Sequence, residues 1–229
     1  MASQKQIADA FGKAAADFAG SEPVRKLLAG KSASAEVADF VKNVVRTHSL
    51  SSHIVAFLYA SLPTQTSEMI KENLLEEMGV GGDRQPHSAL LLVLARGAAF
   101  SQEEIEKLLD DSRQQIRVFC AQKIPFPTLQ DLCLSMLLET ESFEFLLSRY
   151  ASQIADALLR HYGFPKESLR WFELHSEVDI RHAEEGLAVI HDYLSFHGID
   201  DAHFQRILEA TFAKNVFLKR YFPNAAAAS

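Results

Sequence analysis

An all-α fold, a single-domain helical bundle, is what this sequence predicts, and three observations carry the prediction. Glycine and proline are scarce, 10 and 7 among 229 residues, and almost all of them fall between stretches with helical period. No stretch alternates apolar and polar residues over more than a few positions, so no sheet is expected. Apolar residues make up 48% of the chain, enough at this length to bury one sizeable core.

The elements follow in order from periodicity and punctuation. Helices are expected at about 3–19, 22–29, 35–61 with a break at SLSS, 65–79, 86–98, 102–122, 127–161, 166–197 and 201–221. Between them stand GSEP, GKSAS, SLPT, GVGGDRQP, GAAFS, KIPFPT, GFPKES and HGIDD. Ser101 with Glu104, and Thr128 with Asp131, are helix starts in which a side-chain oxygen satisfies an unpaired amide of the first turn. No internal repeat or linker divides the chain. One domain over 1–224 is expected, with the alanine-rich stretch 225–229 read as a disordered tail or cloning remnant.

Charge and cysteine content narrow the function. With 23 Lys and Arg against 30 Asp and Glu the formal charge is −7, and no basic stripe interleaved with aromatics appears, which argues against nucleic acid. Cys120 and Cys133 have no CxxC spacing, so neither a disulfide framework nor a thiolate metal site is suggested, and a reducing cytoplasm fits. No apolar run approaches the ~20 residues that span a bilayer. The first residues lack the apolar core of a signal peptide.

The segment HSEVDIRH, residues 175–182, carries the chemistry. At about 100° per residue His175, Asp179 and His182 fall at roughly 0°, 40° and −20°, on one stripe of a helix. Phe172, Val189 and Tyr193 share that stripe, which therefore faces the core. Burying unpaired polar groups costs several kcal/mol, so a partner such as a metal ion is called for.

Two further regions supply similar groups. In MIKENLLEEMGVGGDRQPHSALLLVL, Asn73 and Glu77 share a face while Glu76 points about 100° away. The glycine loop then turns the chain, and two readings stand: His87, at the head of the next helix, returns to within reach of Glu77, or Glu77 is a solvated helix-end acid and His87 a cap. In LCLSMLLETESFEFLLSRYASQ, Glu144 falls among the core positions Cys133, Leu137, Leu147, Ala151 and Ile154. Glu141 lies one turn earlier, and Glu139 shares a different stripe with Met136, Phe143 and Tyr150. Oxygen and nitrogen donors without thiolate suit iron or manganese, and ligand type alone leaves zinc open. Helical bundles bind paired irons through such inward side chains. The Glu-x-x-His device common in ferritin-like bundles is missing. Asp179 with His182 and Asp200 with His203 are the only acids three residues before a histidine.

NLLEEMGVGGDRQPHSALL, the acid-bearing helix before LRHYGF, and LHSEVDIRHAEEG together resemble the haem-oxygenase-like di-iron oxidases and oxygenases, over roughly residues 35–220. The resemblance implies a haem-oxygenase-like bundle holding two Fe2+ ions and using dioxygen as co-substrate. It implies the ligands Glu77, His87, Glu144, His175, Asp179 and His182, with Glu141 and then Glu139 as alternatives to Glu144. It further implies an O2-dependent oxidase or oxygenase in the biosynthesis of a small metabolite, acting on an amino-acid-like or other carboxylate substrate. Oxidative C–C or C–N chemistry, N-oxygenation and nitrile formation are all within its range. An external electron donor is then needed, and a homodimer is compatible with the amphipathic run 103–117.

Other readings stay beside it. A thiaminase-like hydrolase would depend on Cys120 or Cys133, neither in a recognised context. A metal-free interaction protein would use the inward His and Asp groups as a hydrogen-bond network. Relatives that consume one of their own tyrosines need it near the N-terminus, and the first tyrosine here is Tyr59. His48 and His53 are read as structural histidines. For a substrate carboxylate the candidate cations are Arg46, Lys123, Arg149 and Arg181. Gly186, one turn past His182, marks a pocket or a close helix packing.

Overall fold

The computed structural model describes residues 2–80, 85–121 and 126–227, apart from the side chains of residues 119, 178–180 and 226–227. Among them the chain is helical throughout and contains no strand. The elements are α1 (Gln4–Gly20), α2 (Glu22–Leu28), α3 (Ser34–His48), α4 (Ser51–Ser61), α5 (Thr64–Glu77), α6 (His87–Gly97), α7 (Gln102–Ala121), α8 (Leu129–Tyr162), a 3-10 turn (Lys166–Leu169), α9 (Arg170–Phe196), α10 (Asp201–Thr211), α11 (Val216–Tyr221) and α12 (Pro223–Ala227).

The predicted starts have their physical causes in place. At α7 the Ser101 amide donates to Glu104 Oε2 at 2.7 Å and the Glu104 amide to Ser101 Oγ at 3.2 Å. Thr128 Oγ1 accepts from the Asp131 amide at 3.0 Å and opens α8. The expected break near SLSS separates α3 from α4. One expectation fails. The helix predicted over 201–221 is two helices, because Asn215 caps a new start: its Oδ1 accepts from the Leu218 amide at 3.1 Å. Its Nδ2 donates to the Ala14 carbonyl at 2.7 Å. The interruption is thus made by a contact with α1, and no glycine or proline announces it.

Helices α8 and α9 form the axis of the bundle and pack along much of their length. They run antiparallel, as two apolar clusters show. One takes Phe143–Leu158 of α8 with Trp171 and Phe172 of α9; the other takes Cys133–Leu138 of α8 with Ala183–Leu194 of α9. Between the clusters lies a polar layer with Glu141 and Glu144 of α8 and His175 and His182 of α9. Buried groups of this kind need partners inside the fold, and α5 and α6, which both pack on α9, bring them.

Candidate metal centre

Glu77 ends α5 and His87 begins α6, and the chain between them turns at Gly79, whose φ of +68° suits a residue without a side chain. That reversal sets His87 Nδ1 2.9 Å from Glu77 Oε1. From α9, His175 closes the group. One donor atom from each of Glu77, His87 and His175 lies within 4.8 Å of the others, and all three residues are buried. The His87 and His175 rings meet edge-on with centroids 4.8 Å apart.

The donor atoms are oriented from outside the cluster. His175 Nδ1 donates to the Trp171 carbonyl at 2.7 Å, so the proton sits on Nδ1 and Nε2 keeps its lone pair. The Trp171 ring lies against the same imidazole at 4.1 Å. Burial, and then the neighbouring His87, hold the His175 pKa below its ordinary value, which keeps it neutral, the ligating form. The Ser51 hydroxyl, in the first turn of α4, donates to Glu77 Oε2.

A second group adjoins the first. His182, also on α9, has Nδ1 3.6 Å from Glu144 Oε2 of α8. Its Nε2 lies 3.1 Å from Glu76 Oε2 of α5. Burial opposes the charged form of His182, but the hydrogen bond and charge of Glu144, helped by Glu76, outweigh it and raise the pKa. Asn73 Nδ2 is 3.5 Å from Glu144 Oε1.

Five of the six residues expected as ligands therefore gather from α5, α6, α8 and α9: Glu77, His87, Glu144, His175 and His182. Asp179 lies on α9, and its side chain is outside the described residues. Of the alternatives, Glu139 turns to Arg220, with Oε1 2.7 Å from Nε. Glu141 is buried beside Gly186, where a Cβ would stand 1.9 Å from Glu141 Oε2. The gap at Gly186 is thus close packing. Burial, followed by Glu144 and Glu185, raises the Glu141 pKa well above the carboxylate range, and its buried Oε1 has no hydrogen-bond partner among the described residues. Glu76, expected to point away, belongs to the site. It was missed because helical phase was reckoned against one neighbour, whereas α5 packs on both α4 and α9 and offers adjacent residues to different sides.

A cavity of about 790 Å³ opens beside the cluster, with Glu77, Glu144 and His175 in its wall. Leu50, Ile54, Phe57, Met136, Phe143 and Leu147 give it an apolar lining. His48 lines it too, its Nε2 2.7 Å from the Tyr221 hydroxyl. Burial, with His175 adding to it, pushes the His48 pKa down to about 3, as suits a hydrogen-bonded structural histidine. Of the cations named from sequence, Arg46 lines the cavity and pairs with Asp111. Arg149 stacks on Phe145, with Cζ 3.4 Å from the ring centroid, and Arg181 binds Glu72 and Glu76 outside the cavity. Lys123 is outside the described residues. Lys219 and Arg220 of α11 line the cavity as well and were not expected.

Fold and site define an all-helical protein with a buried histidine–carboxylate cluster of the kind that holds a transition metal. The model of a family of iron-containing redox enzymes, haem-oxygenase-like in fold, matches residues 38–212, and the chain belongs to that family. The match contains every residue of the cluster. A search of curated proteins found no match.

Proposed function

We propose that this iron-containing redox enzyme is a di-iron, O2-dependent oxidase or oxygenase acting on a small carboxylate, amino-acid-like substrate, with an external electron donor, in the cytoplasm. The observation that carries the reading is the pairing of two histidine–carboxylate groups, Glu77–His87–His175 and Glu144–His182, at one wall of an apolar cavity. The donor set fits iron: imidazoles and buried carboxylates, with no thiolate among them. Glu77, His87 and His175 would hold one ion, and Glu144 and His182 would serve the other. Bound iron supplies reduction of dioxygen and oxidation of the substrate.

The chain's own residues prepare that chemistry. Trp171 fixes the His175 tautomer through its carbonyl. Ser51 holds Glu77 Oε2 from the cavity wall, and such outer contacts set ligand orientation. Burial, followed by Glu144 and Glu185, favours the neutral form of the Glu141 carboxyl beside the site. The apolar wall desolvates a substrate body and limits water at the cluster. Cys120 is exposed and Cys133 buried, and neither lines the cavity, which gives a cysteine-dependent hydrolase no nucleophile there. Both thiols are free, in keeping with a reducing compartment.

The test is anaerobic Fe(II) titration followed by an oxygen pulse, read as iron stoichiometry and visible absorption, with His182→Ala alongside. About two irons per chain, with a transient band that the variant lacks, is the expected result. Absence of specific iron uptake in both proteins overturns the reading and returns the histidines to a hydrogen-bond network.

A further inference from the structure

The cavity lining holds two kinds of charged or ligating group: Glu77, Glu144 and His175 of the buried cluster, and the cations Arg46, Lys219 and Arg220. Their separation follows from α8. Arg220 grips Glu139, which precedes Glu144 by five residues, about 7.5 Å along a helix and 140° around it. Apolar side chains of α4 and α8 line the same cavity.

The cations are not equivalent. Arg46 is paired with Asp111 and Arg220 with Glu139. Lys219 is exposed and has no carboxylate partner among the described residues. It is the one lysine in the cavity lining among the described residues, and it stands where an anion keeps contact with water and avoids the cost of full burial. Residue 219 lies on a six-residue helix held by aromatic contacts: the Phe217 ring packs on Phe18 of α1 at 5.9 Å and on Phe143 of α8 at 5.0 Å. Its backbone position is therefore set by the core, although its side chain reaches solvent.

We infer that Lys219, seconded by Arg220, binds the carboxylate of the substrate at the outer end of the cavity, so that the acid's apolar body lies along the wall and its far end meets the metal site. The substrate is then a carboxylic acid with an apolar body, and the positions that react are remote from the acid group. Chemistry that requires the carboxylate itself at the metal is not what this chain is built for. The inference rests on the proposed oxygenase only for what happens at the inner end; the head-group contact belongs to the protein alone.

Binding is therefore tested without iron. Isothermal titration of metal-free protein with dodecanoate and with dodecan-1-ol separates the head group from the chain. Lys219→Glu is expected to weaken dodecanoate by about tenfold or more and leave dodecanol unchanged, while Lys219→Arg keeps both. Arg220→Ala gives a smaller loss for the acid alone. Equal dodecanoate affinity in wild type and Lys219→Glu, a parallel loss for the alcohol, or no binding of dodecanoate to the wild type overturns the inference. Iron stoichiometry of Lys219→Glu, measured separately, matches the wild type if the two proposals are independent; failure of iron binding alone sinks the oxygenase and leaves the head-group result standing.

Discussion

Replacing Gly186 with alanine tests the packing of α9 on α8 at the point where the metal site meets the core. An alanine Cβ at this position would come 1.9 Å from Glu141 Oε2, 2.6 Å from its Cδ and 3.0 Å from its Cγ. The whole carboxyl group must move, and it is buried at 2% exposure. Overpacking of a filled core costs about 1–3 kcal/mol. Alanine for glycine inside a helix contributes about 1 kcal/mol in the other direction. The net in the wild-type background is a destabilisation of up to about 2 kcal/mol. In a Glu141→Ala background the obstruction is gone and the same change should stabilise by about 1 kcal/mol. The double-mutant cycle thus has an interaction energy of about 1–3 kcal/mol. Urea unfolding of the four metal-free proteins, with equal slopes required for comparison, measures it. A coupling below about 0.5 kcal/mol, with Gly186→Ala stabilising in both backgrounds, would refute the close approach.

His48 has a folded pKa of about 3 against an ordinary 6.5, so between those values the unfolded chain binds the extra proton. The stability it contributes is complete above pH 6.5 and is lost as pH falls toward 3, at about 1.4 kcal/mol per unit. Urea titrations at pH 6.5 and 5 should therefore show wild type losing about 2 kcal/mol more than His48→Gln, and equal losses would contradict the assignment. Gly79→Ala places a side chain at φ +68° with its Cβ 2.4 Å from the Pro86 nitrogen; a destabilisation of at least about 2 kcal/mol, with weakened Fe(II) binding through displaced His87, is expected in melts and titrations. Ser51→Ala removes the donor to Glu77 Oε2 and should weaken Fe(II) about tenfold with unchanged far-UV circular dichroism.

Much of the site could be read from sequence because its groups lie on long helices with clear phase. His175 and His182 share a stripe of one uninterrupted helix, and Glu144 sits among α8 residues whose apolar spacing is regular. The Glu77–His87 approach was legible for a local reason, the glycine-rich reversal between two short helices. Glu76 was not, because phase arithmetic presumes one packing partner per helix. The division of 201–221 escaped as well, since Asn215 interrupts the helix by bonding to Ala14, some two hundred positions away along the chain. Lys219 and Arg220 escaped with it: only the placement of that second helix brings them to the cavity.

The position of α11 has a consequence for how enzymes of this kind diversify. The residues that gather around the metal site all fall inside the stretch shared with the family, 38–212. The short helix bearing Lys219 and Arg220 falls outside it, and so does α1, whose Phe18 packs on Phe217, Tyr221 and Phe222. The two ends of the chain thus meet in the buried core from outside the matched stretch, and α11 carries two of the cavity's cations from there. On the assignment of Lys219 to a substrate head group, substitutions in α11 alter which molecules are held while the donors on α5, α6, α8 and α9 keep their places.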